Sequence, residues 1–250
     1  MRHIIVVDIE TIKDSLHTIK VAPFIGGLKG SFSKAKKSEL KSGLAGVAGI
    51  KKDGTEQEDK YQEALNKTAL SPIGGRIACI GVWEILENDG TNKVSEKWHF
   101  LCSNHEHEIL TKFKALINDK TEFVTFNGRG FDFPFIMFRA AVHGIDLNLP
   151  IYPYNGKDGH FDLMLHAFDC SNLSALGIQY PASLKKWAEY FGLGTKLSIK
   201  DGEIDIQECF DNDRDMLETY SLNDVDITKK LFYIFKAHFK QRYFREDNTI

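Results

Sequence analysis

The sequence predicts an α/β fold built on a mixed sheet, and three observations predict it. A continuous apolar, β-branched run opens the chain. Two further strand-like runs follow before any helical pattern. From there strand-like and helix-like segments alternate up to a long amphipathic stretch near the C-terminus.

The opening run, His3 to Thr11, has Ile4, Ile5, Val6 and Val7 in succession. It reads as a strand buried on both faces and closed by Asp8 and Glu10. Residues 75–85 (GRIACIGVWEI) and 93–102 (KVSEKWHFLC) read as the second and third strands, with the Gly-containing ENDGTN as the hairpin loop between them. EHEILTKFKALI then spaces Ile109, Phe113, Leu116 and Ile117 along one helical face. EFVTFN is a short strand, and FDFPFIMFRAAVHG a helix with Asp132 near its N-cap, Pro134 in its first turn and Gly144 at its stop.

Residues 160–168 (HFDLMLHAF) and 183–193 (SLKKWAEYFGL) read as helical pieces. A final long helix is expected from about Asp213 to Phe239, with Met216, Leu217, Tyr220, Leu231, Phe232 and Phe235 among its apolar positions. Residues from about 30 to 70 are polar, Lys-rich and poor in aromatics. Such a long connection between the first two strands reads either as a solvated, partly helical excursion or as a lid that grips a substrate strand.

With 250 residues, 42% apolar and 18 Phe, the chain has core material for one full-sized domain, expected to span 1–250 with the 30–70 segment as an insertion. No apolar run approaches the ~20 residues of a membrane span, and the N-terminal apolar run is too short and too acidic at its end for a signal peptide. A cytoplasmic protein without membrane partners is the expectation. Cys79, Cys102, Cys170 and Cys209 form no CxxC pair and read as buried or inert thiols. His99, His105 and His107 fall close together but lead into a polar loop, which reads as solvated surface rather than a metal site. The net charge of −3 gives no global attraction for nucleic acid, so any phosphate-binding surface is local.

Three short patterns carry chemistry. Asp8 and Glu10 stand two apart on a strand, so their side chains leave the same face with Cα atoms roughly 6.5 Å apart. That spacing suits a metal, although solvated acids also end many strands. In FVTFNGRGFDFPFI, Asn127 precedes two glycines and Asp132 opens a helix, a pattern that also reads as a turn residue and a helix cap. In TYSLNDVDIT, Tyr220 and Asp224 are four apart and share a helical face, where a Tyr is as well a core residue.

In this order the patterns resemble the three exonuclease motifs of the DEDDy branch of the DEDD 3'–5' exonuclease superfamily, which has the RNase H-like fold. SPIGGRIACIG, FNGRGFDFPFIMFRA and SLKKWAEYFGLGTK look more closely like the proofreading exonuclease domain of family-B DNA polymerases, here standalone. The resemblance covers residues 3 to about 235 and omits the 30–70 insertion. It implies an RNase H-like α/β fold with a central mixed five-stranded sheet flanked by helices.

The resemblance further implies that Asp8, Glu10, Asp132 and Asp224 are catalytic, metal-binding carboxylates and that Tyr220 positions the attacking water. Thr11, Ile12, Asn127 and Phe131 would contact the terminal nucleotide. The histidine branch places His five residues before the last Asp, and that position is Thr219. Asp226 is a rival for Asp224, but Leu222 stands four before it and Ser221 five before it, so the tyrosine spacing selects Asp224.

Four carboxylates brought together raise one another's pKa and destabilise a fold unless cations neutralise them. Two divalent cations, Mg²⁺ or Mn²⁺, are therefore the expected cofactors, since both favour hard oxygen ligands and a metal pair suits in-line phosphoryl displacement. The expected activity is metal-dependent 3'–5' hydrolysis of single-stranded DNA, or of frayed 3' ends, to nucleoside 5'-monophosphates. RNA as substrate, or a catalytically inactive nucleic-acid-binding module, are the alternatives. Arg129, Arg139, Lys185 and Lys186 are candidate phosphate contacts or solubilising surface charges.

Overall fold

The computed structural model describes residues 2–14, 68–88, 93–147, 149–150, 159–178, 180–197 and 205–238. The predicted insertion lies outside these residues except for its last three positions, and so does most of the predicted ENDGTN loop. Five strands form one sheet in the order β3-β2-β1-β4-β5, with β1 Arg2–Lys13, β2 Gly75–Asn88, β3 Lys93–Cys102, β4 Thr121–Thr125 and β5 His160–Asp162. β2 and β3 pair antiparallel from Cys79↔Cys102 to Asn88↔Lys93. β4 pairs parallel with β1, His3↔Thr121 to Val6↔Val124, and with β5, Phe123↔His160 to Thr125↔Asp162. The mixed five-stranded sheet is the RNase H-like arrangement that was expected.

The described helices are α1 Glu106–Ala115, α2 Asp132–Val142, α3 Leu163–Ser171, α4 Leu184–Phe191, α5 Ile206–Asn212 and α6 Arg214–His238, with a short 3₁₀ turn at Leu173–Leu176. They divide between the two faces of the sheet according to strand parity. On one face Ile5, Val7 and Ile9 of β1 pack with Ile109, Leu110 and Phe113 of α1 and Phe133, Phe135 and Ile136 of α2. On the other, Ile4 and Val6 pack with Leu163 and Ala167 of α3, Leu184 and Trp187 of α4, and Val225, Leu231 and Phe232 of α6. Burying this much branched and aromatic surface on both sides explains why β1 reads as an unbroken apolar run.

Several boundaries differ from the sequence reading. β1 does not close at its acids but continues to Lys13, because Thr11 and Ile12 are good strand formers. Residues 160–162, expected to begin a helix, are strand: three residues satisfy their backbone against β4, and the Asp162 side chain then caps α3 by accepting from the Met164 amide at 3.1 Å. The α5 helix was not predicted, and Met216 is exposed rather than part of the apolar stripe of α6. Gly144 ends the α2 segment as expected, with φ +65°. Of the cysteines, Cys79 and Cys209 are buried, whereas Cys170 is exposed.

Arg139 is not a phosphate contact. Only 2% exposed, it is held in a buried ion pair, Nη2 to Glu106 Oε2 at 2.6 Å, while Glu106 Oε1 also accepts from the Ile77 amide at 2.7 Å. His143 Nε2 lies 2.8 Å from Glu106 Oε2 and completes the set. Glu106 thus ties α1, α2 and the start of β2 together, and its charge is satisfied on several sides, as a buried carboxylate requires.

By chain contacts the protein divides into two compact units, Met1–Glu10 with Ile77–Ile250, and Thr11–Arg76. In the second, the Asp14 amide donates to the Gly74 carbonyl at 3.0 Å and the Gly75 amide to the Ser71 carbonyl at 2.7 Å. No described helix is long and apolar enough to cross a membrane.

In the first unit Gly81 lies in β2 against α6, where an added Cβ would sit 2.3 Å from Ser221 Oγ and 2.8 Å from Trp98 Cη2. Gly81→Ala is expected to destabilise by about 1–3 kcal/mol through overpacking, lowering Tm by roughly 2–4 °C for each kcal/mol. An unchanged melting curve would show that the strand–helix spacing is looser than described.

Candidate functional site

The parity that sorts the core also places the acids. Asp8 and Glu10 continue the Ile4–Val6 face of β1 and therefore point towards α6. There Asp224, one turn after Tyr220, meets them: one carboxylate oxygen from each of Asp8, Glu10 and Asp224 lies within 4.8 Å of the others. Asp224 is 3% and Glu10 9% exposed, while Asp8 is partly open. Two remote segments thus deliver three like charges to one poorly solvated spot.

The cost appears in the protonation equilibria. Burial pushes the Asp8 carboxyl well above its ordinary range, and the charges of Asp132 and Asp224 push it further. Burial likewise raises Glu10, with Asp8 and Asp224 adding to it. Burial raises Asp224 too, against the opposing pull of Lys196. Burial also dominates at Tyr220, whose phenol is driven upward with the help of Glu10, Asp224 and Asp8, so it stays protonated.

Asp132 stands beside this trio at the first turn of α2. Phe131 is the N-cap residue and makes no side-chain cap, whereas the Asp132 carboxylate accepts from its own backbone amide in the first turn. Its Oδ1 also accepts from the Ile9 amide at 3.1 Å, between the two β1 acids. Only 3% exposed, it is raised to about 7, chiefly by burial, with the Ile9 amide resisting and the Asp162 charge adding. Beyond the place near the helix start read from sequence, Asp132 thus makes a contact that ties α2 to the acid-bearing strand.

Among the other sequence-predicted residues, Asn127 has φ +70° in the loop between β4 and α2, and Phe131 is partly exposed with its ring 5.6 Å from that of Phe135. Thr11 is partly exposed and Ile12 is 2% exposed; both belong to the second unit. Thr219 is exposed and its hydroxyl donates to the Asp215 carbonyl. Asp226 takes no part in the cluster and pairs with Lys230 at 2.7 Å. His99 pairs with Glu84, Nε2 to Oε2 at 2.8 Å.

Lys196 was missed. Its ammonium lies 2.6 Å from Asp224 Oδ2 and 6.0 Å from the centroid of the Tyr220 ring. Burial works against the charged form, yet Asp224, Asp8 and Glu10 together raise its pKa. Asn223 holds the segment that carries it, accepting from the Leu197 amide at 3.1 Å and donating to the Thr195 carbonyl at 3.3 Å. The sequence signal was slight: a lysine just past the glycines that end a helix.

The donor set fits a hard divalent cation. Three carboxylates against one ammonium leave two negative charges in excess when all are ionised. Asp224 Oδ1 is buried and has no hydrogen-bond partner among the described residues, a vacancy that a cation would satisfy.

Residues 66–212, more than half of the chain, match the family model of the RNase_H superfamily. The chain belongs to the RNase H superfamily. Over 189 residues this RNase H-like chain is 31% identical to a DNA polymerase of Methanocaldococcus jannaschii; the alignment takes in 68% of the chain and 11% of the polymerase, so the chain spans about a tenth of that relative's length. It is also similar to the solved family B DNA polymerase of Pyrobaculum calidifontis, at 16% identity and a TM-score of 0.49 over 94% of this chain and 24% of that one. The resemblance drawn from the motifs thus holds for the superfamily and for similarity to a DNA polymerase.

The raised acids make stability depend on pH and on cations. A carboxyl whose pKa is higher folded than unfolded binds more protons in the native state, so stability falls as pH rises from its unfolded value near 4 through its folded value, about 7 for Asp132. In EDTA, Tm is expected to fall between pH 5 and pH 8, and Mn²⁺ or Mg²⁺ to restore it more strongly at pH 8. Differential scanning fluorimetry checks this, and a cation-independent Tm that climbs over the same interval would contradict it.

Proposed function

We propose that this RNase H-like chain is a metal-dependent 3'–5' exonuclease that hydrolyses single-stranded DNA, or frayed 3' ends, to nucleoside 5'-monophosphates. The observation that carries the reading is the convergence of Asp8, Glu10 and Asp224 on one spot with Tyr220 one helical turn from Asp224. Asp8, Glu10 and Asp224 would hold one divalent cation, Mg²⁺ or Mn²⁺, and Asp132 with Asp8 would serve a second. Bound cations supply charge neutralisation for the phosphodiester and acidify water.

The chain's own groups do the rest. Tyr220, kept protonated by its buried acidic surroundings, orients the attacking water through its hydroxyl without giving up a proton. Lys196 offers a fixed positive charge beside the reacting phosphate and holds Asp224 in place meanwhile. Asn127 and Phe131 receive the terminal nucleotide: the amide side chain hydrogen-bonds and the partly exposed ring stacks on a base, a contact tolerant of sequence.

Incubating the purified protein with 3'-labelled and 5'-labelled DNA and RNA oligonucleotides plus Mn²⁺ or Mg²⁺ tests the reading. Stepwise shortening from the 3' end of DNA, released as 5'-monophosphates and abolished by EDTA, is expected. Faster shortening of matched RNA would reassign the substrate, and binding without cleavage would make the protein a binding module.

Role by role, Asp8→Ala and Asp224→Ala are expected to remove turnover. Tyr220→Phe should lower kcat on the order of 10²-fold with KM little changed. Equal, small losses at all three positions would contradict the assignment.

A further inference from the structure

The turn that carries Asn127, Phe131 and Asp132 is held by a side chain that no motif includes. Asp162 ends β5, and its two oxygens reach across to the β4–α2 loop. Oδ1 accepts from the Asn127 amide at 3.0 Å and Oδ2 from the Arg129 amide at 3.0 Å. The intervening Gly128 amide donates to Thr125 Oγ1 at 3.1 Å, and that oxygen also lies 2.8 Å from His160 Nε2. Three successive backbone N–H groups are thus all spent on side-chain acceptors. Two of them surround one carboxylate, in the manner of an anion-binding nest occupied by the protein itself.

The arrangement dictates the conformation. Asn127 is left-handed, at φ +70°, a state that an isolated L-residue disfavours and Asn tolerates better than most. Gly128 is pressed so close that a Cβ would fall 2.3 Å from Thr125 Oγ1. With the turn so fixed, the Asn127 carbonyl accepts from Gly130 and Phe131, and the Gly128 carbonyl from Phe133, which launches α2 in register with Asp132 facing the Ile9 amide. Asp162 also caps α3 through Met164, so one side chain couples β5, α3 and the loop.

We infer that Asp162 is a positioning residue for the exonuclease reaction, its carboxylate setting the 127–129 turn so that Asn127 and Phe131 are presented to the terminal nucleotide. It touches neither the acid trio nor, on this account, the substrate. The inference rests on the exonuclease reading above.

Capping and positioning are separable by side-chain length. Asp162→Ser keeps a good cap for α3 but is too short to span to the Asn127 and Arg129 amides. Asp162→Asn keeps one acceptor oxygen and sets an NH₂ against the other amide. Steady-state hydrolysis of single-stranded DNA at 20 °C, with Tm measured in parallel, is the test.

Asp162→Ser is expected to lose on the order of 10²-fold in kcat/KM, chiefly through KM, with a Tm close to wild type, and Asp162→Asn to recover part of that loss. An active wild type with a serine variant whose KM is within twofold of it overturns the positioning role alone. A loss borne by kcat with KM unchanged also overturns it. A wild type without nuclease activity overturns the exonuclease reading and this role with it. If the serine variant does not fold, the asparagine variant decides by the same criterion, a raised KM supporting the role and an unchanged one overturning it.

Discussion

Burial of three neighbouring carboxylates, Asp8, Glu10 and Asp224, with the like-charge repulsion that burial sharpens, is the constraint on which the rest of the structure depends. Buried like charges raise one another's proton affinity and cost the fold free energy. A chain that keeps them needs a compensating positive charge. Lys196 supplies one, on a segment pinned to α6 by Asn223, but one ammonium does not balance three carboxylates. The deficit matches a divalent ion, and the unsatisfied Asp224 Oδ1 marks where one would be welcome.

The fold is arranged to create this concentration of charge. Alternation along β1 sends Ile5, Val7 and Ile9 to the α1–α2 layer and Ile4, Val6, Asp8 and Glu10 to the α6 layer. The central strand is therefore anchored by apolar packing on both sides at the point where it delivers its acids. α6 brings Asp224 from the other end of the chain, and α2 brings Asp132 onto the Ile9 amide between the two β1 acids. Rigid elements carry all four carboxylates, which favours a site that is set before any substrate arrives.

Much of this was legible in the sequence because it follows from periodicity. The period-2 spacing of Asp8 and Glu10 and the period-4 spacing of Tyr220 and Asp224 each fix a shared face, and those faces meet. The tyrosine spacing that the family resemblance supplies, rather than periodicity, selected Asp224 over Asp226, which the structure leaves with Lys230. What stayed hidden has no local period. β5 is three residues long and exists because β4 offers it an edge. Arg139 looked like a surface cation, since nothing near it in sequence announces Glu106 thirty-three positions away. Lys196 and Asp162 make contacts with residues 28 to 35 positions away, which a single sequence does not display.

Direct observation of the cation tests the central claim most closely. Titrating Mn²⁺ into the protein while following free ion by electron paramagnetic resonance should show saturable binding by the wild type. A variant with Asp8→Asn and Glu10→Gln should leave the ion free at the same concentrations. Equal binding by the two proteins, or none by the wild type, would contradict the account.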